Sequence, residues 1–156
     1  MSKSRGKDFE NKVKADFSKI PNSHIERLFD VMTGYKAMRS RSDFVAYVFP
    51  NQFWIECKSH YGNTFPFSEL RQYEDLLEVA GIKGIRSGIV LWMIDHDIVV
   101  YLPVKTVEQM KLDGKKSFNV KDLNSDRYRI INIPSKKKRV YMDSDYSILT
   151  SLKEGD

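Results

Sequence analysis

From Asp43 to Lys58 the chain reads Asp-Phe-Val-Ala-Tyr-Val-Phe-Pro-Asn-Gln-Phe-Trp-Ile-Glu-Cys-Lys, two apolar runs separated by Pro50-Asn51. Runs rich in aromatic and β-branched residues on either side of a Pro-Asn pair predict a β-hairpin. Side chains alternate across a strand, so Glu56 and Lys58 share one face while Ile55 and Cys57 point to the other. Closing the hairpin symmetrically about Pro50-Asn51 sets Asp43 opposite Lys58 and diagonal to Glu56, about 7–8 Å away between backbone positions. Two acids and an amine then converge on one patch of otherwise apolar strands. Such a patch is costly to bury without a compensating charge, and a divalent cation is the usual one.

Mg²⁺ takes oxygen ligands and keeps several waters, so Asp43, Glu56 and the backbone carbonyl of Cys57 could hold it beside a phosphate, with Mn²⁺ as the alternative ion. Lys58 then stands where it can orient and help deprotonate an attacking water. The competing reading is a half-exposed hairpin with a solvated Glu/Lys pair, because short motifs recur by chance. Upstream, Arg5-Gly-Lys-Asp-Phe-Glu10 opens a helical segment in which Phe9, Val13, Phe17 and Ile20 form an apolar stripe. Glu10 flanks that stripe, Asp8 faces away, and Asp16 flanks the opposite edge. A carboxylate at the border of a buried face can reach a site on the sheet beneath, which makes Glu10 a further metal or water ligand. Alternatively it is a first-turn acid favouring the helix N-terminus, worth about 0.3–1 kcal/mol.

The order of these segments, an Arg-Gly-x-x-Phe-Glu helix, a Ser42-Asp43-Phe44 strand, an Ile55-Glu56-Cys57-Lys58 strand and a helix bearing Gln72, resembles the RecU group of Holliday-junction resolvases. The shorter, phage-type members of that group, within the PD-(D/E)xK nuclease superfamily, are the most similar in layout. Arg41-Ser42 stand where a proline often precedes the first aspartate. The resemblance covers roughly residues 5 to 102 and implies a restriction-endonuclease-like α/β core, a central mixed sheet flanked by helices. It also implies a metal-dependent endonuclease that cuts four-way DNA junctions as a homodimer, leaving a 5′-phosphate and a 3′-hydroxyl. Carried over by position, it puts Asp43 and Glu56 on the metal, Lys58 on the water, Glu10 in support and Gln72 near the site. Yet on a helix starting near Ser68 the apolar set is Leu70, Tyr73, Leu77 and Ala80, and Gln72 lies off it as a solvated side chain would. The alternatives are a restriction-like or nicking nuclease on other branched DNA, and a DNA-binding module that performs no cleavage.

Only Asp30 to Ser42 connects an expected Ile25–Phe29 strand to Asp43, so any projecting stalk is short. This connector carries Tyr35, Lys36, Arg39 and Arg41 around Thr33-Gly34, a basic and aromatic tip suited to phosphate contact and base stacking, or simply a solvated loop. Net charge is +5 over 156 residues, which favours an anionic partner. Further basic clusters lie at Lys3, Arg5 and Lys7 and at Lys136, Lys137, Lys138 and Arg139. The latter could equally be a solubilising turn after Pro134-Ser135.

The coarse element order is helix 5–19, strand 24–29, strand 43–49, strand 52–59, helix 68–81, strand 87–94, strand 98–102, a helix from Pro103 to about Leu112, and a strand at 128–133. Gly88–Ile94 is apolar at nearly every position, as a strand covered on both faces requires. Asp95-His96-Asp97 reads as a turn, which makes His96 a turn residue. Beyond residue 115 a polar tail is expected around that last strand, with one nuclease domain spanning 1–156. No signal peptide or long apolar run is found, which leads to the expectation of a cytoplasmic protein, in a bacterial host cell if phage-encoded, with no membrane partner. Cys57, the only cysteine, is expected to act as a small buried hydrophobe.

Overall fold

The structure, a computed structural model, describes residues 3–153, with side chains from Arg5 onward; the side chain of Lys3 lies outside the described residues. Helix α1 (Lys3–Phe17) comes first, and its stripe Phe9, Val13 and Phe17 is buried together with Ile20 just beyond its end. Asn22, at φ 56°, turns the chain into β1 (Ser23–Arg27), which ends two residues before the expected Phe29. The connector is a small hairpin of its own, β2 (Val31–Thr33) and β3 (Lys36–Met38). Thr33 pairs with Lys36 across Gly34-Tyr35, and Gly34 sits at φ 58°, where a glycine is not strained.

Strands β4 (Phe44–Val48) and β5 (Asn51–His60) form the expected hairpin in a different register. Val48 pairs with Asn51 and Phe44 with Ile55, so the two-residue connection is Phe49-Pro50 and not Pro50-Asn51. Asn51 enters the ladder, and each β4 residue meets a partner two positions earlier than symmetric closure about Pro50-Asn51 would give. A slip of two preserves the faces, since the side-chain period is two. It nevertheless replaces Lys58 by Glu56 as the residue facing Asp43.

After β6 (Thr64–Pro66) the expected helix 68–81 is split. A 3₁₀ turn at Phe67–Glu69 ends where Leu70, at ψ 76°, leaves helical geometry and buries its side chain, and α2 (Tyr73–Val79) starts afresh. Then follow β7 (Ile85–Met93), the Ile94–His96 turn with Asp97 at φ 50°, β8 (Ile98–Pro103) and α3 (Val104–Leu112), which stops at Asp113-Gly114 as expected. Next come β9 (Ser117–Asn119), β10 (Ile131–Ile133), β11 (Ser135–Lys138) and β12 (Tyr141–Ser144). The strand expected over 128–133 is thus confined to its last three residues.

The main sheet has the order β1-β4-β5-β7-β8-β10, with β5 and β7 parallel and every other pair antiparallel. A parallel pair requires a crossover, and the segment carrying β6 and α2 supplies it. One face of the sheet packs Phe44, Ile55, Cys57, Val90 and Trp92 under α1; the other packs Ile89, Leu91, Val100 and Leu102 under α2 and α3. From Ile89 to Met93 no residue is more than 1% exposed, which accounts for the unbroken apolar run.

The residues after β10 are not a polar tail. Met142, Tyr146 and Leu149 enter the same core as Phe9, Val13 and Phe17. Asp16 fastens this segment: buried, it accepts from the Ser144 amide at 3.0 Å and from Lys12 Nζ at 2.9 Å. Asp16 is therefore a structural anchor. The sequence pattern conceals the segment because its few inward residues alternate with lysines and aspartates.

Candidate active site

β1 ends and β4 begins level with Ile55 and Gly88, and β5 and β7 run on beyond that level to His60 and Met93. Extending the observed register one step places Asp43 opposite Glu56, and Asp43 Oδ2 accepts the Cys57 amide at 2.8 Å. In a strand the amide and carbonyl of one residue point to the same side. The Cys57 carbonyl therefore opens toward Asp43, beyond the first residue of β4, while the opposite side of β5 pairs with β7. The Cys57 side chain points into the core, and burial pushes its thiol well above the ordinary value, which removes it as a nucleophile.

Glu10 reaches this point from α1. Because α1 begins at Lys3, Glu10 lies two turns inside the helix, and the first-turn dipole explanation does not apply to it. Asp43 lies within hydrogen-bonding reach of both Glu10 and Glu56. Burial raises the Glu56 carboxyl to about 10, with Asp43 and then Glu10 adding to the rise while Lys58 opposes it. Glu10 is raised to about 7, first by burial and then by Asp43, against the pull of Arg27 and Lys58. Glu56 Oε2 is buried and has no hydrogen-bond partner among the described residues. Three carboxylates are thus crowded beside one ammonium, although among the described residues no three His, Cys, Asp or Glu side chains close into a ready-made metal cage.

Arg27 is a site residue that the sequence reading missed. Its guanidinium stands 3.5 Å from Glu10, bonds Asn11 Oδ1 at 2.8 Å and lies over the Phe44 ring at 4.8 Å. The signal was present: Arg27 shares the strand phase of the buried Ile25, a place where a charge needs a reason.

Gln72 is half-buried, not solvated, and its Oε1 has no partner among the described residues. Leu76, one turn later, accepts from Ser87, the β7 partner of Trp54. Gln72 stands at the start of α2, one turn before Leu76.

The basic residues separate into two groups. Lys7 is exposed, Arg5 donates to the Tyr61 hydroxyl just past the end of β5, and Tyr35, Lys36 and Arg39 are exposed on and beside the β2–β3 hairpin. Lys136, Lys137, Lys138 and Arg139 are exposed on the β11–β12 hairpin, which reaches the same end through Tyr141–Asp8 (3.1 Å) and Lys137–Asp97 (3.3 Å). Arg41 departs from the expected tip: it donates to the Asp75 carbonyl, pairs with Glu78 at 3.6 Å and covers Trp54, which ties β5 to α2. His96 contacts Asn63 Oδ1 at 2.6 Å within the turn, as its position implied.

A mixed six-stranded sheet with α1 on one face and α2 and α3 on the other defines a restriction-endonuclease-like α/β fold. The chain is similar in structure to Hjc, a Holliday junction resolvase from the archaeal hyperthermophile Archaeoglobus fulgidus, with a TM-score of 0.53 over 74% of this chain and 87% of that one, at 19% identity. No protein-family model matches the chain, and no curated protein does.

Proposed function

We propose that this protein is a metal-dependent, structure-selective DNA endonuclease that resolves four-way junctions by paired nicks as a homodimer. The observation that carries this reading is the crowding of Asp43, Glu56 and Glu10 beside Lys58, where β1 ends and β4 begins and from which the basic β2–β3 hairpin projects. The likeness in fold to a junction resolvase supports it.

The donor set fits a hard divalent cation: carboxylates that repel one another, a buried carboxylate oxygen without a partner and an outward carbonyl on Cys57. Asp43, Glu56 and the Cys57 carbonyl, with Glu10 directly or through water, would hold Mg²⁺ or Mn²⁺, which when bound supplies Lewis-acid polarisation of the phosphate and a more acidic water. Lys58, half-buried on the face of Glu56, orients the attacking water and offsets charge developing on the phosphoryl oxygens. Arg27 holds Glu10 toward Asp43, and the half-buried Gln72 limits the site on the α2 side. The exposed Lys36, Arg39, Lys138 and Arg139 supply phosphate contacts outside the scissile position.

The test is incubation of purified protein with matched linear duplex, splayed fork and immobile four-way junction, with and without Mg²⁺. The expected result is symmetric paired nicking of the junction only with Mg²⁺. Equal nicking of all three substrates would make it a general nicking enzyme, and retention without cutting a binding module.

A further inference from the structure

Strand β5 does not stop where its partner β4 begins. Phe44 is paired with Ile55, and β5 runs on to His60, kept in register with β7 by the pairing of His60 with Met93. Alternation puts Glu56, Lys58 and His60 on one face of this extension, opposite the face of Ile55 and Cys57. Two strand residues advance about 6.6 Å, a step comparable to the distance between neighbouring phosphates of a nucleic-acid strand. His60 therefore stands one such step beyond Lys58 on the face that carries the acidic cluster.

Its ring is fixed on one side and open on the other. Nδ1 stands 3.5 Å from Glu69 Oε2 in the 3₁₀ turn Phe67–Glu69, and the ring meets the buried Phe65 edge-on, at 80° and 5.7 Å between centroids. Nε2 has no partner among the described residues, and 24% of the side chain remains exposed, so a ligand can reach it. A carboxylate at one ring nitrogen orients the imidazole and presents the other nitrogen on the far side.

We infer that His60 is a further DNA-contact residue, whose Nε2 donates to the phosphate next to the scissile one and so seats the scissile phosphate against Lys58 and the acidic cluster. The inference rests on the nuclease reading and names a residue that sets the position of the cut strand. No bond forms on His60. In the complex both ring nitrogens carry hydrogen, one facing Glu69 and the other the phosphate. Such a contact fixes the register of the DNA without reading its sequence, and its effect on rate comes from orientation.

The test is single-turnover cleavage of a four-way junction with Mg²⁺, first to map the cut and then with one uncharged methylphosphonate at either flanking position. His60→Phe keeps a ring against Phe65 and loses both nitrogens, which separates the contact from the packing. It should cut the ordinary junction about tenfold more slowly, with its thermal midpoint unchanged, and His60→Gln, which keeps a donor, should recover part of that loss. A methylphosphonate at one of the two positions should slow the unaltered protein about tenfold and leave His60→Phe unaffected, because the contact it removes is already gone. Cutting by His60→Phe within twofold of the unaltered protein would overturn the inference and leave the nuclease reading standing. The same holds if His60→Phe is slowed by both methylphosphonates as much as the unaltered protein is, which would assign His60 to packing alone. If the unaltered protein does not cut the junction with Mg²⁺, the nuclease reading fails and the inference fails with it.

Discussion

On the proposed assignment Asp43, Glu56 and Lys58 act together at one site, so their variants should lose cleavage alike. Asp43→Asn, Glu56→Gln and Lys58→Ala should each lower the cleavage rate at least about 100-fold; the two carboxylate variants should keep junction binding in full, because removing a carboxylate beside phosphate reduces like-charge repulsion. Glu10→Gln should show a smaller loss. Cleavage within twofold of the unaltered protein in any of the first three would remove that residue from the site. The crowding also makes stability depend on pH. Glu10 and Glu56 hold protons more tightly folded than unfolded, rising from an ordinary 4.5 to about 7 and about 10. Their contribution is full below pH 4.5 and is lost as pH rises through 7 and on toward 10. Without divalent metal, the thermal midpoint should fall between pH 5 and 9, and Mg²⁺ should raise it more at pH 8 than at pH 5.5, since binding releases protons. Glu56→Gln should flatten most of this dependence. A midpoint that climbs over the same range would contradict the crowded cluster.

At the scale of elements, two hairpins outside the main sheet have opposite characters. The β2–β3 hairpin is exposed throughout, and Met32 and Tyr35 are among its most exposed side chains. Replacing Lys36 and Arg39 by Ala should weaken junction binding and reduce the steepness of its log–log salt dependence by about 0.9 for each phosphate that is no longer neutralised. An unchanged slope would make the hairpin a bystander. Arg41→Ala belongs to another experiment, since it loosens α2 from β5. The β11–β12 hairpin, by contrast, is pinned through a buried carboxylate. Asp16→Ala would leave the buried Ser144 amide without its acceptor, while Lys12 keeps Asp143 at 2.6 Å, and should cost about 2 kcal/mol in urea unfolding. A loss below about 0.5 kcal/mol would show that Met142, Tyr146 and Leu149 hold the segment without it.

For the whole molecule, each chain carries one acidic cluster while a four-way junction needs two matched cuts, which a two-fold pair of chains supplies. Heterodimers with one unaltered chain and one Lys58→Ala chain should bind the junction nearly normally, nick one strand and fail to resolve it. Symmetric cutting of both strands by such heterodimers, without subunit exchange, would end the paired-site reading. A protein that stays monomeric on the junction at saturating concentration would do the same.

Local chemistry set much of this molecule before any tertiary contact. Alternation in 44–48 and 52–57 fixed which side chains of the hairpin share a face, the apolar run in 89–93 specified a strand covered twice, and Pro103 and Gly114 bounded a helix. Those features depend on neighbours two to four positions away, so the residues alone reveal them. The register of Asp43 against Glu56, the inward turn of Arg27, the burial of Gln72 and the docking of 141–149 on α1 depend on partners distant in sequence. A two-residue slip leaves every face unchanged, so hydrophobic pattern cannot distinguish the two registers, and only the closed hairpin decides which acid meets which.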